Sequence, residues 1–219
     1  MSHSRAKLFT SVVLNVAMLI GCLATPADAA SAAQTSTALP DASWVVQFGT
    51  EGDDGISALE VAPNGDVIVA GYTFGSLVSP NAGESDVWVA AYDNGGQRLW
   101  LNQYGDATMD GVWSIAVDNA SNIYLAITGA QGSTKSTSTL LSLDSNGNQR
   151  WEIELPNTVA MGLATDGSVL YWVGAKEAES QDVRSAITEI FVVAIEQSGT
   201  VMWTKESYEE YLVIPTAVA

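Results

Sequence analysis

Apolar and polar positions along the chain fall into short runs separated by turn-forming clusters. Residues 56–61 alternate, as a strand with one covered face does, and residues 67–73 are almost continuously apolar, which suits a strand covered on both faces. Ala62-Pro63-Asn64-Gly65-Asp66 between them predicts a hairpin turn, with Asn-Gly set between β-rich runs. A longer loop, 74–85, leads to a third strand over 86–92, and a turn at Asp93 leads to a fourth strand carrying Trp100. The same order recurs. Residues 112–117, 123–128 and 139–143 predict three more strands, followed by a turn at Asp144 and a strand carrying Trp151. A third, more divergent round uses 161–165, 169–174 and 187–195, then a turn at Glu196 and a strand with Trp203. Its charged loop, 176–185, has the composition of a short helix.

The turn before each tryptophan fixes the period. Asp93, Asp144 and Glu196 each open an acid-x-x-Gly-x-x-x-Trp stretch, with Gly96, Gly147 and Gly199 as the glycines. Trp100 to Trp151 is 51 residues and Trp151 to Trp203 is 52. An acidic side chain can accept from backbone N–H groups two residues on, and glycine takes the positive φ that a tight turn demands. A large aromatic at one place in every unit predicts packing between neighbouring units. Residues 43–49 match 99–105 nearly position for position, so the folded part begins with a tryptophan strand, that of Trp44, without a turn of its own. Four strands per unit of about 51 residues predict an all-β fold. The architecture expected is a partial β-propeller of about three four-stranded antiparallel blades, near 56–105, 112–154 and 161–205. A β-sandwich of irregular hairpins is the rival, but it leaves the tryptophan period unexplained.

Three blades and a leading strand do not close a ring, since propellers have at least four blades. The expectation is an incomplete ring. It could belong to a longer propeller, be completed by self-association of two or more chains, or be capped by the tail, 206–219, which has room for one strand near 211–214. The first of these fits the tail's lack of polar capping character.

Ahead of the repeats, Arg5 and Lys7 precede an apolar run over 8–20. Its 13 residues are too few to span a bilayer and suit an export signal. Ala27-Asp28-Ala29 offers a cleavage site before Ala30, which makes 1–29 a signal peptide and 30–42 an Ala/Ser/Thr-rich flexible linker. Leu19-Ile20-Gly21-Cys22 offers a competing route, because it resembles the bacterial lipobox, in which the cysteine is acylated. Either route predicts export, to the cell envelope or beyond it, with no transmembrane span after processing.

Charge and chemistry narrow the function. The net charge of -17 argues against nucleic acid and anionic membrane surfaces as partners. The only cysteine is Cys22 and the only histidine is His3, both ahead of the repeats. The repeat region therefore lacks a His- or Cys-based metal site, a histidine triad and a thiol nucleophile. Asp53, Asp54, Asp106 and Asp110 sit at inter-strand corners, inside the acidic loops 51–55 and 107–111 or beside them. They are weak calcium candidates, against a plain reading as turn caps. Glu152 and Glu154 share one face of a strand by period-two alternation, a pairing that glycoside hydrolysis could use and that an exposed outer strand explains more simply.

With Gly49, Asp53, Asp54, Val61, Asn64, Gly65, Ala70, Gly71, Tyr72, Thr73, Asp86, Trp88 and Trp100 in place, the first unit resembles the bacterial SBBP-type β-propeller repeat family. Leu143-Asp144-Ser145-Asn146-Gly147 and Trp151 carry the resemblance in the second unit. It covers roughly 43–203 and implies blades, not a particular active site. Ala91-Tyr92-Asp93-Asn94-Gly95-Gly96 through Trp100 is also similar to the tryptophan-docking motif of quinoprotein-type propellers. It has one residue fewer between Asp and Gly and lacks the threonine. In those proteins the motif packs blades and does not hold pyrroloquinoline quinone, so no cofactor is expected from it. The function expected is an exported, non-enzymatic repeat protein offering a surface to a protein or carbohydrate partner. A fragment of a propeller enzyme is the first alternative. An envelope assembly lipoprotein, resembling the propeller lipoproteins that assist outer-membrane assembly, is the second.

Overall fold

The computed structural model describes residues 12–14, 44–130, 136–177 and 187–208. Fourteen strands account for the regular structure among them. β1 is Val12–Leu14 and β2 is Val46–Phe48. Then come β3 (Asp54–Val61), β4 (Val67–Thr73), β5 (Asp86–Tyr92) and β6 (Arg98–Tyr104). β7 (Met109–Val117), β8 (Ile123–Ala130), β9 (Thr137–Leu143) and β10 (Gln149–Pro156) follow, and β11 (Thr158–Thr165), β12 (Val169–Glu177), β13 (Ile187–Glu196) and β14 (Val201–Tyr208) end the series. Among the described residues there is no helix, so none long and apolar enough to cross a membrane.

The strands form three four-stranded antiparallel sheets, β3–β6, β7–β10 and β11–β14, each a simple meander, and a two-stranded sheet of β1 and β2. The sheets stand in chain order and do not close on themselves. The closest backbone approaches between neighbouring sheets, among the described residues, involve a first strand, and β7 meets β3 and β11 directly.

Burial explains the sequence pattern. Ile68 and Ala70 of β4 face the second sheet, and Val67 and Val69 face β2, so both alternating sets are covered. All seven residues of β5 are buried for the same reason. One apolar cluster lies between the first and second sheets, including Ile68, Val89, Ile115, Leu125 and Leu141. A second lies between the second and third, around Tyr124, Leu140, Trp172 and Phe191. The third joins the first sheet to Trp44, Val46 and Phe48.

Each sheet carries the same two irregularities. Its first strand has a bulge at Ser57, Trp113 or Met161, and its fourth strand has one just before the tryptophan, at Leu99, Arg150 or Met202. A bulge puts two residues opposite one and redirects a side chain. Val112 and Ile115 both face the first sheet although three positions apart, a spacing that a regular strand forbids.

Several stretches differ from the sequence pattern. Residues 109–111, expected in a loop, open β7, and Asp54 opens β3. β11 starts at Thr158, three residues before the apolar run that marked it. Lys176 and Glu177, placed in a charged loop of helical composition, continue β12, and the remainder of that loop, 178–185, lies outside the described residues. Lys176 is held there by Glu189 at 3.1 Å and Glu206 at 2.7 Å, one acid from each of the next two strands. Val12–Leu14, inside the apolar run read as an export signal, pairs with β2. Cys22, the linker and the tail strand near 211–214 lie outside the described residues.

Candidate functional site

The recurring tryptophans sit between sheets. Trp100 donates its Nε1–H to Ser145 O at 3.0 Å, in the turn of the next sheet, and Trp151 donates to Gln197 O at 2.9 Å. Trp44 does the same to Asn94 O at 3.2 Å. Each indole also lies against the glycine of the turn it reaches. A Cβ on Gly96, Gly147 or Gly199 would come within 2.5, 2.8 or 2.9 Å of the ring of Trp44, Trp100 or Trp151. These glycines have φ of +81°, +81° and +89°, a region that side chains disfavour. Trp203 has no described turn beyond it, and 41% of its surface is exposed.

The turns share one backbone frame. The Asp93, Asp144 and Glu196 carbonyls accept from the N–H of Gly96, Gly147 and Gly199. Asp93 and Asp144 add a side-chain bracket, Oδ1 accepting from the N–H groups two and four residues on. Glu196 does not. Among the described residues its carboxylate accepts only from the Ser198 hydroxyl, at 3.4 Å, and Ser198 Oγ accepts the Thr200 N–H instead. The extra methylene takes the glutamate out of reach of the turn it opens.

The four corner aspartates divide into two separate corners. Asp54 is buried and accepts from Thr50 N–H at 2.6 Å, and Asp110 is buried and accepts from Asp106 N–H at 2.9 Å and Thr108 Oγ1 at 3.0 Å. The register thus aligns Asp54 with Asp110, and Asp106 with Thr50. Asp106 accepts from Thr108 N–H, and Asp53 is exposed. Burial raises the Asp110 carboxyl above its ordinary range, with the nearby Asp106 and Asp86 charges adding to the effect and the two hydrogen bonds opposing it. Among the described residues no three acidic, histidine or cysteine side chains gather into a group that could hold a metal ion. Thr158 takes the corresponding place in the third sheet, its hydroxyl bonded to Leu155 O.

These corners also tie the sheets together. Asp110 N–H donates to Ser85 O and Ser85 Oγ donates to Asp110 O, and in the next sheet Thr158 N–H donates to Ser136 O. Above this seam, between the first strands of the first two sheets, opens a cavity of about 740 Å³. Trp113, Met109, Tyr72 and Phe74 line it, exposed at 58%, 47%, 36% and 44%. Tyr72 and Phe74 meet edge to face at 6.0 Å. Trp113 points there because it is the bulged residue of β7. The polar groups of the wall are mostly occupied, as Asp110 is bonded inward and Thr128 Oγ1 accepts from Ala160 N–H. This wall offers aromatic faces and a thioether, and its exposed residues Ser57 and Tyr72 each carry a hydroxyl.

Glu152 and Glu154 line a smaller groove of about 360 Å³ between β6 and β10, on the exposed side. The sequence placed them on one face but gave no weight to Trp113. Its signal was present: Trp88, Trp113 and Trp172 stand outside the period, and Trp113 breaks the alternation of its strand.

No protein-family model matches the chain, and no curated protein matches it.

Proposed function

We propose that the three sheets are blades of an open β-propeller, in keeping with the SBBP-type resemblance, and that the protein is an exported, non-enzymatic interaction module. Its partner contacts the mouth formed by Trp113, Met109, Tyr72 and Phe74. The observation that carries this reading is the gathering of three of the four exposed aromatic side chains among the described residues around one cavity. The bulge that aims Trp113 outward supports a functional reading, because bulges re-aim side chains beside binding sites. The occupied polar groups favour apolar side chains of a protein partner over a sugar, whose hydroxyls require free donors and acceptors beside the aromatic face.

Peptide and glycan arrays probed with the wild type and with Trp113→Ala test the reading. The expected result is binding to apolar peptides that weakens at least tenfold in the variant, about 1.4 kcal/mol. The circular dichroism of the variant should be unchanged. Binding confined to glycans, or peptide binding indifferent to Trp113, would overturn it.

A further inference from the structure

β2 has the anatomy of a fourth strand. Trp44 docks on the Asp93 turn as Trp100 docks on the Asp144 turn, and Phe48, four residues on, packs edge to face on Trp88 at 5.0 Å. In every complete sheet the fourth strand leans on a third strand in one register. The residue four positions after the tryptophan stands opposite Val87, Ser138 or Ile190, as Tyr104, Leu155 and Ser207 show. Phe48, at that same position, stands opposite Val12. Gln47 then faces Val13 and Val46 faces Leu14, antiparallel, as Gln103 faces Trp88 and Asn102 faces Val89. The backbone of β1 therefore occupies the place of a third strand in a sheet with no other strand among the described residues.

We infer that β2 is a strand acceptor and that Val12–Leu14 is its occupant in the unprocessed chain, a surrogate third strand supplied by the N-terminal apolar run. An unpaired strand edge is a template for pairing. This one is backed by Trp44, Val46 and Phe48, which cover the first sheet's apolar face. The surrogate is weakly held, because it spans three residues where the third strands β5, β9 and β13 span 7, 7 and 10, and two-stranded sheets are marginal in water. Removal of the N-terminal segment would leave the same edge open to another extended strand. The pairing itself does not depend on that removal, nor on the Trp113 reading.

Crosslinking in the full chain, produced without export so that residues 1–29 are retained, tests the pairing. In a Cys22→Ser background, Val13→Cys with Gln47→Cys should form a disulfide on mild oxidation in most molecules. Val13→Cys with Gln103→Cys, the equivalent position in the first complete sheet, should form at least tenfold less. Hydrogen exchange gives a second readout. Val13→Pro, which removes a donor and clashes in a ladder, should speed exchange of the amides at 46–48 at least tenfold while those of β4, β8 and β12 stay slow. Equal crosslinking to positions 47 and 103, no crosslink to 47, or unchanged exchange at 46–48 would each overturn the inference.

Discussion

Trp100 and Trp203 hold the same place in the same repeat, yet the fold treats them differently. Trp100 is partly buried, its Nε1–H reaches a carbonyl in the next sheet, and its ring lies on that sheet's turn glycine. Trp203 is 41% exposed, and the one aromatic ring it meets among the described residues is Tyr171 of its own sheet, at 6.2 Å. The repeated residue is thus not a core residue by itself. It becomes one when a neighbouring sheet supplies a turn to receive it. This is how stacked units gain stability from their interfaces.

The largest effect expected from this comparison is the difference between two truncations. Trp100→Ala removes a packed indole and a hydrogen bond between sheets, and should cost about 3 kcal/mol. Trp203→Ala should cost less than about 1 kcal/mol, since it gives up mainly solvent-facing surface. Urea unfolding followed by circular dichroism measures both. Equal losses would mean that the docking turn contributes nothing to the indole's role.

The glycines sharpen the same point from the receiving side. Gly65 and Gly147 both have positive φ, +90° and +81°. A Cβ on Gly65 would meet nothing within 4 Å, whereas one on Gly147 would come within 2.8 Å of both the Trp100 ring and Asn102 Nδ2. Gly65→Ala should cost only the left-handed backbone penalty, about 1 kcal/mol. Gly147→Ala should add displacement of the indole and reach about 2–3 kcal/mol. The extra loss should shrink in a Trp100→Ala background to what the Asn102 contact retains, which a double-mutant cycle reads directly.

Most of this arrangement is legible in the amino-acid order, for identifiable reasons. Strands such as Val67–Thr73 and Asp86–Tyr92 are bounded by turn residues and covered on both faces, so their apolar runs mark them end to end. The period of Trp100, Trp151 and Trp203 makes the sheets countable. What escapes is set by register. A single inserted residue in β7 turns Trp113 from a strand residue into the wall of a cavity, and only the odd spacing of Val112 and Ile115 hints at it. The match of 51–55 with 107–111 already sets Asp54 against Asp110, but acidic composition does not reveal that each is buried and accepts a backbone N–H from four residues back. The start of β11 is hidden because Thr158 replaces the acid of the other two sheets.

The smallest effect concerns the turns, where Asp144 and Glu196 look interchangeable in sequence and are not. Asp144 accepts from the Asn148 side-chain amide at 2.9 Å and from the backbone N–H groups of Asn148 and Asn146 at 2.8 and 2.9 Å. These bonds, led by the Asn148 side chain and helped by the Arg150 charge, hold its carboxyl below the ordinary range against a small opposing cost of burial. A carboxylate depressed on folding adds stability that is present above its unfolded pKa and is lost as pH falls through the folded value. The group is largely solvated, so the contribution stays under about 1 kcal/mol. Asp144→Asn should therefore flatten the stability curve slightly below pH 4, the range that starts at an ordinary aspartate pKa of about 3.9. Thermal unfolding of the variant and the wild type between about pH 2 and pH 5 measures the effect. An unchanged curve would mean that the side-chain bracket, which Asp144 makes and Glu196 does not, adds nothing beyond the backbone frame that all three turns share.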